Sequence, residues 1–493
     1  MEATRDQSRR RRTGRTRTTR GLSVRVLMVG AEMAPYSKTG GLGEVLGALP
    51  LALAARGCEV GVVIPYLPSM DPVRWGIAPA GAEVEVWIEG RRRVARLLQA
   101  SGPAGVKVIF LDCPAYFHRP GLYGTPQGDY PDNPQRFAFL CYGALEAAKR
   151  LFPLPDVIHA HDWQAALVPF LLRATEHYGL DATLRARTVM TVHNLSYQGV
   201  FPKDVLPAVG ISWSHFRMQE LEFYDRVNFL KAGLVSADAI TTVSPAYADE
   251  ITTRRYGWGL DGVLRERRAS LVGILNGIDP QGWNPGADPR IPAPFTVRTL
   301  CRRAENRDVI RQTMALRDGS EPVVAMVTRL AQQKGIDLLL GLRDRIPELG
   351  VQWAILGSGD HPYETAVLDL ARRYPGTVGV RIGFDDETAR LLYAGSDFFC
   401  MPSLFEPCGL GQLIALRYGS IPIVRRTGGL ADTVRDLSKP DGVGIVFDEP
   451  TAEALAESLG RARDLAGRTD ELLEVRRRAM ACDFSWRASA GKY

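Results

Sequence analysis

The stretch VRVLMVGAEMAPYSKTGGLGEV, residues 24–45, decides the fold of the first half of this chain. It opens on an apolar run, VRVLMV, and closes on KTGGLGEV (38–45), where three glycines accompany one lysine and one glutamate. The pattern predicts a buried strand, a glycine-rich turn and a helix. The glycine spacing matches neither G-x-G-x-x-G nor G-x-x-x-x-G-K-[ST], so these residues alone do not identify a ligand.

Similar apolar runs rich in Val and Ile recur along the chain, each followed by a Gly or Pro loop and a helical pattern. They lie at 24–29, 60–65, 106–111, 156–161, 188–193 and 239–244 in the first half, and at 323–328, 352–357, 398–403, 421–426 and 444–447 in the second. Runs of this kind are typical of strands buried on both faces of parallel sheets. The Pro- and Gly-rich segment 284–295 between the halves is a candidate interdomain linker. We therefore predict an α/β protein of two domains, with the ligand site in the cleft between them.

Composition and charge indicate a globular protein and give no sign of a nucleic-acid partner. The chain has 493 residues, 45% of them hydrophobic and 24% charged, which is typical of a globular protein with ample core. The net charge of +6 lies entirely in residues 1–20, where eight arginines accompany two acidic residues. Since the rest of the chain is neutral, overall charge does not predict a nucleic-acid partner.

Other features of the sequence concern the tail and the compartment. The basic tail has almost no apolar residue, and we expect it to be disordered. No run of about 18 apolar residues occurs, so no membrane span is expected. The seven cysteines are scattered without a C-x-x-C pair, which predicts reduced thiols in the cytoplasm.

Polar residues cluster directly after the predicted strands. They include Lys38, Asp162, His193, Asn194, Asn276, Arg329, Lys334 and Glu406. The same loops contain Gly40, Gly41, Gly357, Cys408, Gly409 and Leu410. Taken singly, a glycine-rich turn is usually structural, a histidine in HAH is usually a core residue, and an Arg–Lys pair is usually solvated. Polar groups in six loops at one end of two sheets are much harder to explain by chance, so we predict an active site there.

Eight motifs in this order resemble those of bacterial glycogen synthases, to which plant starch synthases are related. They are KTGGLGEV, HAHDW, TVHNLSYQG, SPAYADEI, ILNGID, TRLAQQKG, FEPCGLGQ and RRTGGLADTV, and the resemblance runs from about Val24 to about Trp486. It implies a GT-B fold, with two Rossmann-like domains whose parallel sheets face a central cleft. It also implies retaining transfer of glucose from ADP-glucose to the non-reducing end of an α-1,4-glucan such as glycogen.

The resemblance further implies a role for each site residue. Arg329 and Lys334 would neutralise the leaving diphosphate, Glu406 would hold sugar hydroxyls, and His193 would contact the glucose and the developing oxocarbenium ion. Lys38, Gly40 and Gly41 would contact the donor diphosphate, together with the helix opened by Cys408, Gly409 and Leu410. The remaining predicted substrate-binding residues are Glu44, Tyr130, Asp162, Asn194, Asn276 and Gly357. Two positions depart from the family pattern: Glu44 stands where Asp is common, and Gly411 where Thr is frequent.

The predicted domains are a disordered tail (1–21), an acceptor domain (22–285), a nucleotide-sugar domain (286–475) and a C-terminal helix (476–493) that crosses back to the first domain. No metal is expected, because the chain lacks D-x-D, the metal-binding carboxylate motif common in the other large glycosyltransferase fold. No other cofactor is expected either, since ADP-glucose is a co-substrate. Three alternatives stay open: a UDP-glucose-dependent transferase, a glucan phosphorylase and an inactive glucan-binding protein. A phosphorylase would need a lysine that binds pyridoxal phosphate, and the sequence has no motif that resembles one.

Overall fold

The computed structural model describes residues 23–125, 127–174 and 184–493. The predicted tail, residues 1–21, lies outside them. The strands of the N-terminal part are β1 (Arg25–Val29), β2 (Glu59–Pro65), β3 (Ala78–Ile88), β4 (Arg91–Ser101), β5 (Lys107–Asp112), β6 (Gly124–Thr125), β7 (Gly128–Asp129), β8 (Val157–His161), β9 (Arg187–Val192), β10 (Val200–Pro202), β11 (Glu222–Phe223), β12 (Arg226–Asn228), β13 (Ala239–Thr242) and β14 (Leu271–Gly273). Its helices are α1 (Gly41–Ala54), α2 (Pro72–Trp75), α3 (Pro114–Phe117), α4 (Asn133–Leu151), α5 (Asp162–Ala165), α6 (Leu167–Arg173), α7 (Val205–Ala208), α8 (Phe229–Ser236), α9 (Pro245–Glu250) and α10 (Asp261–Glu266).

A large sheet organises this part, with the strand order β14-β13-β9-β8-β1-β2-β5-β4-β3 across the described residues. Every pair is parallel except the two that β4 makes with β3 and β5. The parallel strands are almost continuously buried, as their Val- and Ile-rich sequences predict. The strand order reverses between β1 and β8, which is where ligands of open α/β sheets bind.

The antiparallel edge of this sheet is a feature that the sequence analysis did not predict. Strands β3 and β4 form a hairpin closed by Glu89 and Gly90, which have φ angles of +56° and +65°. Two consecutive positive φ angles are typical of the type I′ turn, whose twist matches that of a hairpin. In β3, buried Val84, Val86 and Ile88 alternate with exposed residues, because only one face of this edge meets the core.

The C-terminal part forms a second sheet, fully parallel in the described residues, in the order β17-β16-β15-β18-β19-β20. Its strands are β15 (Val323–Val327), β16 (Gln352–Gly357), β17 (Val378–Ile382), β18 (Phe398–Met401), β19 (Ile421–Arg425) and β20 (Ile445–Phe447). The remaining helices are α11 (Arg303–Thr313), α12 (Ile336–Leu340), α13 (His361–Arg373), α14 (Asp386–Gly395), α15 (Gly411–Tyr418), α16 (Gly428–Thr433), α17 (Ala452–Ala466), α18 (Thr469–Ala481) and α19 (Trp486–Ala490). This order is that of a Rossmann sheet, with its switch point between β15 and β18.

We call residues 23–275 the first lobe and residues 279–482 the second lobe. The chain passes between them twice, and the two crossings run side by side. The N–H of Ile278 donates to the carbonyl of Phe484 at 2.8 Å, and Ile278 pairs in parallel with Ser485. Beyond this point α19 packs on α1, burying Trp486 and Ala490 in the core of the first lobe.

The segment 284–295, a candidate linker by sequence, lies on the second lobe instead. Asp288 is 3% exposed and accepts hydrogen bonds from Arg390 at 2.6 Å and from the Tyr418 hydroxyl at 2.8 Å. Proline and glycine there correctly indicate irregular backbone, but this backbone packs on the second lobe, with Ile291 and Phe295 in its core. The predicted boundary at 475/476 likewise falls inside α18, so the predicted domain limits differ from the crossings.

Candidate active site

The two switch points face each other across a cleft. Loops after the strands of the first lobe touch loops of the second: the Tyr197 hydroxyl accepts from Arg329 at 2.9 Å, and the Trp258 ring lies 5.8 Å from that of Phe405. The side chain of Glu250 accepts hydrogen bonds from Thr427 Oγ1 at 2.9 Å and from the Gly428 N–H at 2.8 Å. The loop after β9, which carries His193, therefore meets the loop after β15, which carries Arg329 and Lys334, across this cleft.

Lys38 lies on the loop between β1 and α1 and is paired with Glu44 of that helix. The carboxylate of Glu44, the residue that departs from the family pattern, thus pairs with the ammonium group of Lys38. A side chain at Gly40 or Gly41 would meet no atom within 4 Å, so both glycines border open space. The loop can therefore receive a ligand, with Lys38 supplying a positive charge that Glu44 holds in place.

Glu32, which the sequence did not single out, fixes the shape of this loop. It is 2% exposed and accepts hydrogen bonds from the N–H and hydroxyl of Thr39 and from the N–H of Gly43. Burial raises the pKa of its carboxyl, while these hydrogen bonds oppose the rise. Glu32 ties the glycine-rich turn to the end of β1.

His193 follows β9 and borders the cleft, in contact with His161 at the end of β8. The distance from His161 Nδ1 to His193 Nε2 is 3.0 Å, and the two rings are stacked. Burial lowers the pKa of His193 to about 3. His193 is therefore neutral at physiological pH, and it adds no positive charge to the cleft.

Asp162 begins α5 with a φ of +56°, an uncommon conformation for a residue with a side chain. Its carboxylate accepts the N–H of His193 at 2.7 Å and so joins the ends of β8 and β9. Burial raises its pKa to about 7, against the backbone hydrogen bonds from His193 and Asn194 that lower it. Strained backbone and a shifted carboxyl are features typical of functional sites.

The second lobe contributes a compact charged group at its switch point. Lys334, on the loop after β15, pairs with Glu406, after β18, at 2.6 Å, and their side chains are 19% and 7% exposed. Ser403 donates a further hydrogen bond to Glu406 at 3.1 Å. Arg329 donates to Gln333 at 2.9 Å as well as to Tyr197, and its residue is exposed. Arg329 and Lys334 thus place two positive charges close together at the carboxyl end of β15.

Other predicted site residues have structural partners. The side chain of Asn194 accepts hydrogen bonds from the N–H and hydroxyl of Ser196. A Cβ on Gly357 would lie 2.0 Å from the carbonyl oxygen of Thr328, so only glycine lets these loops approach. Asn276 is 5% exposed at the first crossing, and its Oδ1 is buried without a partner among the described residues. Asn276 is the strongest of these three for a ligand, since that oxygen needs a donor.

Cys408, Gly409 and Leu410 lead into α15. Burial raises the pKa of Cys408 to about 12, and its side chain packs with the core of the first lobe. Gly409 has a φ of +73°, and the Gln412 side chain donates to the carbonyls of Cys408 and Gly409 at 2.9 and 3.0 Å. At Gly411, a Cβ would lie 3.0 Å from the Phe399 ring, which leaves little room for the Thr frequent in the family.

Tyr130 lines a groove of about 420 Å³ beside the cleft. The other aromatic residues of the groove are Trp163, Tyr197, Phe201 and Trp258. The Tyr130 hydroxyl accepts from the Gly121 N–H at 3.2 Å. Tyr197 and Trp258 are 50% and 48% exposed, which is unusual for such large side chains and favours a ligand-binding role.

Sequence reasoning also missed Phe384, directly after β17. Phe384 is 87% exposed at the carboxyl edge of the second sheet, where it lines an open pocket of about 470 Å³. The N–H of Gly383 donates to the carbonyl of Gly357 at 2.9 Å, so this loop adjoins the predicted donor site. Phe384 could have been found as a residue that closely follows a strand of the parallel sheet. The sequence analysis did not predict that strand, β17, whose sequence is VGVRI.

Two features are absent from the described residues. No group of three or more His, Cys, Asp or Glu residues there could hold a metal ion. No helix there has the length and hydropathy to cross a membrane.

Comparison with known proteins identifies relatives along nearly the whole chain. The family description "Starch synthase catalytic domain" matches residues 25–266, and "Glycosyl transferases group 1" matches residues 310–471. A glycogen synthase of Anaeromyxobacter dehalogenans is 47% identical over 475 residues, covering 95% of this chain and 98% of the relative. One of Myxococcus xanthus is 46% identical over 472 residues, covering 95% and 98%.

A solved structure is similar over the same extent. The catalytic domain of starch synthase IV from Arabidopsis thaliana, bound to ADP and acarbose, superposes with a TM-score of 0.88 at 33% sequence identity. The superposition covers 96% of this chain and 98% of that one.

Proposed function

Because this chain belongs to the glycogen and starch synthase family of glycosyltransferases, whose GT-B fold it has, we propose that it transfers glucose from ADP-glucose to the non-reducing end of an α-1,4-glucan such as glycogen, with retention of configuration. The observation that carries the proposal is the pairing of Lys334 with Glu406, beside Arg329, at the switch point of the second sheet. Cationic and sugar-binding groups are thereby combined where a nucleotide sugar would bind.

The donor is proposed to bind mainly to the second lobe. Its diphosphate would contact Arg329 and Lys334, with Lys38 approaching from the first lobe and releasing Glu44. Charge develops on the leaving diphosphate as the glycosidic bond breaks, and fixed cations stabilise that charge most effectively in a site shielded from water. Glu406, held by Lys334 and Ser403, is positioned to accept hydrogen bonds from sugar hydroxyls.

The first lobe would support the glucosyl group and the acceptor. Neutral His193 can share hydrogen bonds with the sugar without opposing positive charge at the anomeric carbon, and Asp162 fixes its backbone. The exposed Tyr197 and Trp258 rings beside the cleft offer apolar faces to successive glucose units. The starch synthase IV structure is bound to ADP and acarbose together, which supports a site that takes a nucleotide and a second ligand.

No metal or other cofactor is needed for this reaction as proposed, because the side-chain cations neutralise the diphosphate. We assign the reaction to the cytoplasm, since all seven cysteines are free thiols, as in a reducing compartment.

Donor specificity tests the proposal. The purified chain with glycogen is expected to incorporate labelled glucose from ADP-glucose with a kcat/KM at least tenfold above that with UDP-glucose. Glycogen with glucose 1-phosphate serves as the phosphorylase control and should give no incorporation. A preference for UDP-glucose, or no transfer from either donor, would reject the proposed activity.

Phe384→Ala is expected to raise the KM for the donor roughly tenfold with little change in kcat, on the scale of aromatic–base stacking. The exposed ring beside the donor site is suited to stack on the adenine. Steady-state kinetics with saturating glycogen measures the effect, and Phe384→Tyr should retain the parental KM. Trp87→Ala is the matched control, because Trp87 is 68% exposed on the remote hairpin. An unchanged KM in Phe384→Ala would remove this residue from the donor site.

Asp162→Asn is expected to alter the pH dependence of stability. Since burial raises the pKa of Asp162 to about 7, the folded state retains a proton that the unfolded state has lost above its usual pKa of 3.8. The contribution of Asp162 to the free energy of unfolding therefore falls as pH rises from about 4 to about 7. Urea denaturation at pH 5 and pH 8 should show a smaller loss of stability in the variant than in the parent. Equal losses, with exposed Asp344→Asn as the reference, would contradict the shift.

A further inference from the structure

A cavity of about 500 Å³ lies in the second lobe between α11, the end of α14 and the start of α18. Asp397 and Pro322, which line it, precede β18 and β15. The cavity is therefore at the amino edge of the second sheet, whereas Arg329 and Glu406 follow the carboxyl ends of the same two strands. It is separate from the proposed donor site.

The lining of this cavity is strongly basic. It includes five arginines and a single carboxylate, Asp397; the arginines are Arg298, Arg303, Arg307, Arg476 and Arg477. Arg477 is paired with Glu474 outside the lining, while the described residues give Arg298 no ion-pair partner. The cavity thus keeps a clear excess of positive charge.

Two of the arginines are buried, which makes this excess costly. Arg303 is 3% exposed and donates only to carbonyl oxygens, those of Tyr393, Ser396 and Tyr418. Arg476 is 8% exposed and donates to Asp397 at 2.7 Å. Burial, with a further effect of Arg476 and Arg307, holds the pKa of Arg303 well below its usual value.

Asp397 cannot balance all of these charges. It accepts from Arg307 at 3.3 Å and from the N–H of Val323 at 3.0 Å, in addition to Arg476. The Nε of Arg307 is buried and has no partner among the described residues. Buried cations that share one carboxylate are stabilised when a further anion pairs with them.

We propose that this cavity binds the phosphate group of a small molecule. Guanidinium groups pair with phosphate through two parallel hydrogen bonds, and a dianion matches the excess positive charge. The volume suits a small metabolite and not a polymer. Apolar lining residues, among them Leu300, Pro322 and Leu472, can cover an organic substituent.

The binding test uses inorganic phosphate and calorimetry at constant ionic strength, with saturating ADP to fill the donor site. The parent chain is expected to bind phosphate, and Arg298→Gln/Arg307→Gln to bind it at least tenfold more weakly. Arg298 is exposed and the Arg307 side chain is 34% exposed, so the variant should fold, as its melting curve will show. Arg343→Gln/Arg372→Gln is the matched control: both side chains are exposed elsewhere, and the net charge changes equally.

Cys301 provides a second readout, because it lines the cavity and is an exposed cysteine. Phosphate should slow its alkylation by iodoacetamide in the parent and control but not in the cavity variant. Tighter binding of phenyl phosphate than of phosphate would assign the site to an organic phosphate ester, and equal affinity to the free ion. Undetectable phosphate binding at 10 mM, equal affinity in the cavity and control variants, or unprotected Cys301 would overturn the proposal.

Discussion

Replacing Lys334 with alanine is expected to lower turnover about 10²- to 10³-fold, the scale seen when one group that stabilises transition-state charge is removed. Lys334 is proposed to neutralise the leaving diphosphate, and that charge develops only as the bond breaks. The effect should therefore fall on kcat more than on the KM for the donor. Assays with labelled ADP-glucose and glycogen measure both parameters.

The pairing of Lys334 with Glu406 adds a consequence for stability. The alanine variant leaves the carboxylate of Glu406, 7% exposed, without its cation, so the melting temperature should also fall. Kinetics must be measured well below that temperature. Lys107→Ala is the control, since Lys107 donates to a backbone carbonyl far from the cleft, at the start of β5. Activity of Lys334→Ala within threefold of the parent would contradict its role.

Gly277→Ala is expected to destabilise the chain by roughly 1–3 kcal/mol, as overpacking in a tight interior does. A Cβ on Gly277 would lie 2.5 Å from the backbone nitrogen of Trp486 and 2.8 Å from the carbonyl carbon of Ser485. Since backbone atoms cannot rotate away, the two crossings would have to separate. That separation would weaken the hydrogen bond from the N–H of Ile278 to the carbonyl of Phe484. The lobes would shift against each other, and turnover should fall by about tenfold or more.

Gly262→Ala is the matched control for this substitution, because a Cβ there would meet no atom within 4 Å. Urea denaturation and kcat measured on both variants separate a general Gly-to-Ala effect from the crossing. If Gly277→Ala has the same stability and turnover as Gly262→Ala, close contact between the two crossings is not required for folding or activity.

The repeated strands were predictable because burial on both faces of a parallel sheet leaves a local signal in the sequence. All eleven apolar runs form strands, and the α/β fold with one large sheet in each lobe is confirmed. The β3–β4 hairpin was missed since its arginine-rich second strand, RRRVARLLQAS, lacks that signal. The segment 284–295 was a candidate linker because Pro and Gly indicate irregular backbone. They do not indicate whether that backbone is exposed, and here it packs on the second lobe.

The site was predictable in its membership and less so in its contacts. Motif resemblance selected Lys334 and Glu406, but only the fold brings the two together, 72 positions apart in sequence, as a partly buried pair. Glu32 was missed because its partners, Thr39 and Gly43, are backbone and hydroxyl donors that leave no pattern. The predicted roles of the site residues stay predictions that the variants above test.

Proton NMR during the reaction of ADP-glucose with a maltooligosaccharide tests the central claim most directly, since it follows donor, product linkage and configuration together. We predict loss of the ADP-glucose anomeric signal, equimolar release of ADP and growth of the α-1,4 anomeric signal, with free glucose at a minor level. A β-configured product, hydrolysis to free glucose as the main reaction, or an unchanged donor would contradict the account.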